Sequence, residues 1–123
     1  MKVLDYGCGR GFDADTLGFS KYDPYWGFFA DDENQINYEA ITCIYVLNVV
    51  TKEVQQEILR QVKALLIPGG SAYFAVRRDL KGDVQIKDHV QRIVKLPTLR
   101  LIHKDSKFAI YKMIRNAQMC ARS

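Results

Sequence analysis

Glycine stands at every second position, Gly7, Gly9 and Gly11, just after an apolar pair that ends in the acid Asp5. A turn of this kind leaves backbone N–H groups bare, and a helix starting at its end adds a partial positive charge. The arrangement suits a ligand that presents acceptors to the main chain. The spacing also excludes one class. A dinucleotide turn has its third glycine three residues after the second, and here that position is Phe12. Asp23, 12 residues beyond Gly11, is the next candidate. At a strand end its carboxylate can accept two hydrogen bonds from ribose hydroxyls; before Pro24 it can equally start an Asp-Pro turn. Further along, Asn48 can orient a nucleophile through its amide oxygen or cap a strand-to-helix turn. Arg77 and Arg78 can hold a phosphate or carboxylate, or stand as solvated charges. Asp79 is a candidate base.

These residues need strand ends to carry them, and the hydrophobic pattern supplies them. Strands are expected at residues 2–5 and 20–23, and a short helix at 12–17 capped by Gly18. The 14 residues 6–19 just suffice for a parallel crossover, which takes about a dozen. Residues 25–39 read as irregular, aromatic first (Tyr25, Trp26, Phe28, Phe29) and then acidic. The apolar run 40–46 reads as a strand buried on both faces. Thr51 and Glu53 open a helix whose stripe is Val54, Ile58, Val62 and Leu65. Pro68-Gly69-Gly70 stops that helix before a strand at 71–76. Residues 77–88 read as a charged loop with His89 beside it, and 91–96 as extended. Residues 99–103 and 108–114 flank a hairpin turn, with His103 a structural member. Alternation of this kind implies an α/β fold with a mostly parallel sheet.

At 123 residues the chain reads as one domain, residues 1–115, with 116–123 as a flexible tail. No run of apolar residues reaches the roughly 18 that span a bilayer, and no basic-then-apolar leader is visible. The three cysteines, Cys8, Cys43 and Cys120, have no metal spacing, so they read as reduced thiols of a cytoplasmic protein. The net charge of +4 is weighted to the second half and allows a polyanionic partner.

The segment from Val3 to Gly11 resembles the first motif of class I S-adenosylmethionine (SAM)-dependent methyltransferases. Tyr22-Asp23-Pro24-Tyr25 resembles the second, the segment from Ile44 to Val50 the fourth, and Leu65 to Gly70 the turn before the fifth strand. The match runs over residues 1–78 and, more loosely, the C-terminal hairpin. It is also similar to small bacterial and phage methyltransferase-like proteins and to those associated with DNA phosphorothioation. The resemblance implies a Rossmann-like, mostly parallel sheet with a C-terminal antiparallel hairpin. It implies SAM as cofactor, held by Asp5, Gly7, Cys8, Gly9, Gly11, Asp23, Pro24, Tyr25, Tyr45 and Val46. Asn48 and Arg77 would then face the acceptor.

Two departures qualify it. No clear third strand follows Asp23, although Asp31 or Asp32 could replace its acid. The rings after Pro24 could stack on adenine or simply cap the sheet edge. The fourth motif also lacks the Pro-Pro-aromatic of amino-methylating DNA enzymes, and no Pro-Cys nucleophile is present. The expected function is methyl transfer to an unidentified acceptor, nucleic acid slightly favoured. The alternative is a SAM-binding accessory or sensor protein.

Overall fold

Glycine sets the limits of the first elements. In the computed structural model, residues 2–7, 9–28, 38–80, 82–86 and 89–116 are described. Strand β1 (Val3–Tyr6) runs into the glycine turn, and helix α1 (Phe12–Leu17) leaves it. Gly18, at φ 74°, closes α1 in the left-handed region, and the following Phe19 N–H donates to Ala14 O at 2.8 Å. Strand β2 (Ser20–Tyr22) follows, one residue shorter than expected, because Asp23 instead caps a 3₁₀ turn at Pro24–Trp26. Residues 29–37, which include Phe29, Asp31 and Asp32, lie outside the description.

Strand β3 (Tyr38–Ile44) is displaced by two residues from its expected position, and Tyr45 and Val46, the rest of that run, lead into a 3₁₀ turn (Leu47–Val49). Helix α2 (Lys52–Leu65) begins where Thr51 Oγ1 accepts the Val54 N–H at 3.3 Å. It passes directly into strand β4 (Leu66–Arg77). Pro68-Gly69-Gly70 is therefore an irregularity within a strand rather than the turn before it. Gly69 sits at φ 82°, and its N–H donates to Arg115 O at 2.7 Å. A Cβ on Gly70 would lie 3.0–3.2 Å from three carbonyl oxygens. The charged stretch after β4 holds a second departure from expectation. It forms a two-stranded antiparallel ribbon, β5 (Val84–Ile86) with β6 (His89–Gln91), instead of a loop. The hairpin is as expected: β7 (Arg100–Lys104) and β8 (Phe108–Ile114).

The main sheet has six strands in the order β2-β1-β3-β4-β8-β7. The first four are parallel, and β8 runs antiparallel to both its neighbours. The register gives the two faces different characters. Leu4, Ile41, Ala72 and Met113 align across four strands and are all buried. They share the core with Ile58 and Val62 of α2, each worth about 1.5–3 kcal/mol on burial. The row on the opposite face is polar: Asp5, Thr42, Tyr73 and Lys112. There Thr42 Oγ1 donates to Asp5 Oδ1 at 3.1 Å, and Lys112 Nζ lies 5.7 Å from the Tyr73 ring centre. Past β8, the Arg115 guanidinium donates from Nη1 to the carbonyls of Ala64 at 3.2 Å and Leu66 at 2.8 Å, tying the end of α2 to the sheet.

Candidate functional site

The chain leaves β1 toward β2 on one side and later returns to β3 on the other. That reversal opens a crevice beyond the carboxyl ends of β1 and β3, the place where open α/β sheets bind ligands. A cleft of about 460 Å³ lies there. Tyr6, Gly7, Tyr22, Asp23 and Pro24 form one side, Ile44, Tyr45, Val46 and Val49 the floor, and Val54, Glu57, Ile58 and Gln61 of α2 the far wall.

Each described glycine of the turn has a different job. Gly7, at φ 81°, donates its N–H to Tyr22 O at 2.6 Å, and a Cβ there would fall 2.3 Å from Val46 Cγ2. Gly7 is thus a packing requirement between β1 and the segment after β3. Gly9, at φ 61°, has nothing within 4 Å of where a Cβ would sit. It faces open space. Gly11 is packed against the Lys21 stem, with Lys21 Cδ 2.5 Å from an added Cβ. Cys8 lies outside the described residues.

Asp23 organises the turn. Its Oδ2 accepts the Gly9 N–H at 2.8 Å, and its Oδ1 accepts the Tyr25 N–H at 3.2 Å. Each carboxylate oxygen offers two acceptor sites, so a lone pair remains on each after these bonds. The Asp-Pro turn and a ligand role are therefore compatible. Asp5 is placed differently. Its carboxylate lies on the polar face with Thr42, and burial raises its pKa while the Thr42 bond opposes the rise. Asp5 does not line the cleft.

Tyr45 has φ 59°, the only positive value for a non-glycine among the described residues. A bulky side chain in this region costs about 1–3 kcal/mol, and such strain gathers at sites of function. Its N–H donates to Ala75 O at 2.8 Å, which holds the strained residue against β4. Asn48 is fully buried. Its Oδ1 accepts the Arg77 N–H at 2.8 Å, and its Nδ2 donates to Arg92 O at 2.7 Å. The amide is thus engaged by the end of β4 and by the residue after β6, which is not a cap on the strand-to-helix turn, and it does not line the cleft. Arg77 forks onto Asp79 through Nε at 2.9 Å and Nη2 at 3.1 Å. This pair raises the Arg77 pKa and lowers that of Asp79, which makes Asp79 a weaker base. Arg78 Nη1 donates to the Asp105 carbonyl. His103 Nε2 lies 2.9 Å from Asp105 Oδ2 and its ring stacks on Phe108, a structural role.

No protein-family model matches the chain, and no curated protein does. Solved structures do. DhpI, in a complex with S-adenosylhomocysteine (SAH), superposes with a TM-score of 0.64 at 14% identity, over 94% of this chain and 76% of that one. The 1,6-didemethyltoxoflavin-N1-methyltransferase of Burkholderia thailandensis gives 0.68 at 14% identity, over 93% and 70%. A SAM-dependent methyltransferase of Mesorhizobium loti gives 0.62 at 12% identity, over 93% and 90%. The chain has the fold of the SAM-dependent methyltransferases.

Within this methyltransferase fold, Gly7, Asp23, Pro24, Tyr45 and Val46 surround one cleft, with Gly9 bonded to Asp23 at its edge. Asp5, Asn48 and Arg77 lie apart from that cleft, and so does Tyr25. The Tyr25 ring is 86% exposed and meets Trp26 edge-on, while Trp26 carries the Arg10 guanidinium at 4.9 Å and Phe28 the Lys21 ammonium at 4.4 Å. The aromatic surfaces inside the cleft are Tyr6, Tyr22 and Tyr45 instead, the first two stacked at 4.6 Å. Sequence reasoning also missed the α2 wall. Val54, Glu57, Ile58 and Gln61 are spaced i, i+3, i+4 and i+7, and the alternation of polar with apolar along one stripe was the available signal. Gln61 accepts the Tyr6 hydroxyl, and burial raises the Tyr6 pKa.

Proposed function

We propose that the chain binds SAM in the cleft at the β1–β3 switch and is an enzyme that transfers its methyl group. The observation that carries this reading is the convergence of Gly7, Asp23, Tyr45 and Val46, from three separated sequence segments, on one cleft. The residues fit such a cofactor. Gly9 leaves open the space that a Cβ would fill, so its backbone can be approached closely. Asp23 keeps an acceptor site on each oxygen for ribose hydroxyls. Tyr6, Tyr22 and Ile58 offer apolar surface, and Glu57 and Gln61 offer polar ends. Bound SAM supplies a methyl group already activated by a sulfonium. The chain's part is then to orient cofactor and acceptor. Tyr45 does so from a strained backbone, and Asn48 acts as a positioning residue, fixing the end of β4 and the segment that follows β6.

DhpI is found in complexes with SAH and with SAM, and the B. thailandensis enzyme with SAH, which supports the same cofactor here. A nucleic acid acceptor, the expectation from the basic second half, relied on Arg77, Arg78 and Lys81. Arg77 and Arg78 have internal partners, and Lys81 lies outside the described residues. The same pairing supports a second reading, a SAM-binding protein without transfer, because Asn48 and Asp79 are both engaged. Calorimetric titration with SAM and SAH tests the cofactor, with micromolar binding expected. Release of SAH over time in the presence of candidate acceptors separates transfer from binding. Failure to bind either compound would overturn both readings.

A further inference from the structure

A second cleft, of about 520 Å³, lies between the segment after β6 and the C-terminal hairpin. Asn48 lines neither cleft but holds the backbone beside this one. The residues whose backbone Asn48 holds, Arg77 and Arg92, each stand one position before a residue of the second cleft, Arg78 and Ile93. The floor is apolar: Val94, Leu96 and Ala109 are buried there. Leu101, by contrast, is 45% exposed at its side.

The rim has one sign of charge. Arg78, Lys95 and Lys104 line the cleft, and among the described residues no Asp or Glu does. Among the described residues Lys95 and Lys104 form no ion pair. Arg78 is held at the rim by the Asp105 carbonyl, with donors left over. An apolar floor with a few convergent polar groups is the usual composition of a small-molecule site. Unpaired cations over such a floor attract a negative group on an otherwise apolar body.

We propose that this cleft binds a small, largely apolar molecule bearing one carboxylate or phosphate. The test uses 2-naphthoate and its uncharged amide as probes, titrated by calorimetry into the whole chain, with SAH titrated in parallel. Naphthoate should bind, and the amide about tenfold or more weakly, as expected for loss of a charge-assisted contact. Lys95→Gln with Lys104→Gln should erase that preference. Leu101→Glu, at an exposed position, should abolish naphthoate binding and spare the amide. SAH affinity should be unchanged in both variants. Absence of naphthoate binding, equal binding of the amide, or indifference to the substitutions would overturn the proposal. Naphthoate preference persisting in a chain that fails to bind SAH would support this site and count against the methyl-transfer reading alone.

Discussion

Asp23→Asn isolates the ligand role of Asp23 from its structural one. The carboxylate accepts one N–H on each oxygen, from Gly9 at 2.8 Å and from Tyr25 at 3.2 Å. Asparagine caps a helical turn about as well as aspartate, so the bond to Tyr25 can persist through the remaining oxygen. The negative charge is lost, together with one set of acceptor sites. A hydrogen bond to a charged group contributes about 1.5–3 kcal/mol, and each 1.4 kcal/mol is tenfold in affinity. If ribose hydroxyls donate to this carboxylate, SAH affinity should fall roughly 10- to 150-fold. Stability should change less, by about 1.5 kcal/mol at most, because the half-buried site lets water replace the lost Gly9 bond. Asp23→Ala should show the same loss of affinity and about 1 kcal/mol more instability, since the cap goes as well. Calorimetry with SAH and urea denaturation measure the two quantities separately. An Asn variant with SAH affinity within about twofold of the parent would refute the assignment of Asp23 to the cofactor.

The glycines should divide in the same assays. Gly9→Val should fold with native-like circular dichroism and lose SAH binding, whereas Gly7→Ala should unfold at lower urea because its Cβ meets Val46. Asn48→Ala should lower stability by roughly 1–3 kcal/mol for each backbone group left unsatisfied, read from the urea midpoint. Asp105 is held down to about 2 by His103 and by the N–H groups of Phe108 and Lys107. Its pKa is depressed in the fold, so its stabilisation is present above about 3.9 and is lost as pH falls toward 2. Melting temperatures over that range should fall more steeply for the parent than for Asp105→Asn. Cys43 is buried and its thiol is pushed up to about 12, so iodoacetamide at pH 8 should leave its peptide unmodified in native protein by mass spectrometry.

Local chemistry made much of this fold legible. Gly18, Thr51 and the turn before Phe108 set the ends of α1, α2 and the hairpin through interactions within a few residues, which a sequence displays. What escaped depends on partners far along the chain. Pro68-Gly69-Gly70 looks like a turn, yet the Gly69 N–H donates to Arg115 O and the Arg115 N–H to Gly70 O, which keeps it in a strand. Val84–Ile86 and His89–Gln91 are too short and too polar to show a strand period, and only their pairing defines them. In the candidate site, Asp23 and the glycines could be read because motif spacing fixes them. Asn48 and Arg77 could not, because an amide 29 residues from the backbone it binds gives no local sign of being engaged. Tyr25 and its neighbours looked like a base platform, but Arg10 and Lys21 lie over the rings of Trp26 and Phe28.

The guanidinium of Arg115 grips the last carbonyls of α2 while its backbone pairs with Gly69 and Gly70. The segment after β8 is in this way bolted to a helix that forms one wall of the candidate cleft. Fraying of β8 therefore releases three carbonyl contacts at the helix terminus at once. The hairpin and the last turn of α2 should therefore open as one cooperative unit, with amide hydrogens at Val62–Leu65 and in β8 exchanging with a common free energy. The stiffness of the cleft wall would then be set from the end of β8, some 50 residues away in sequence.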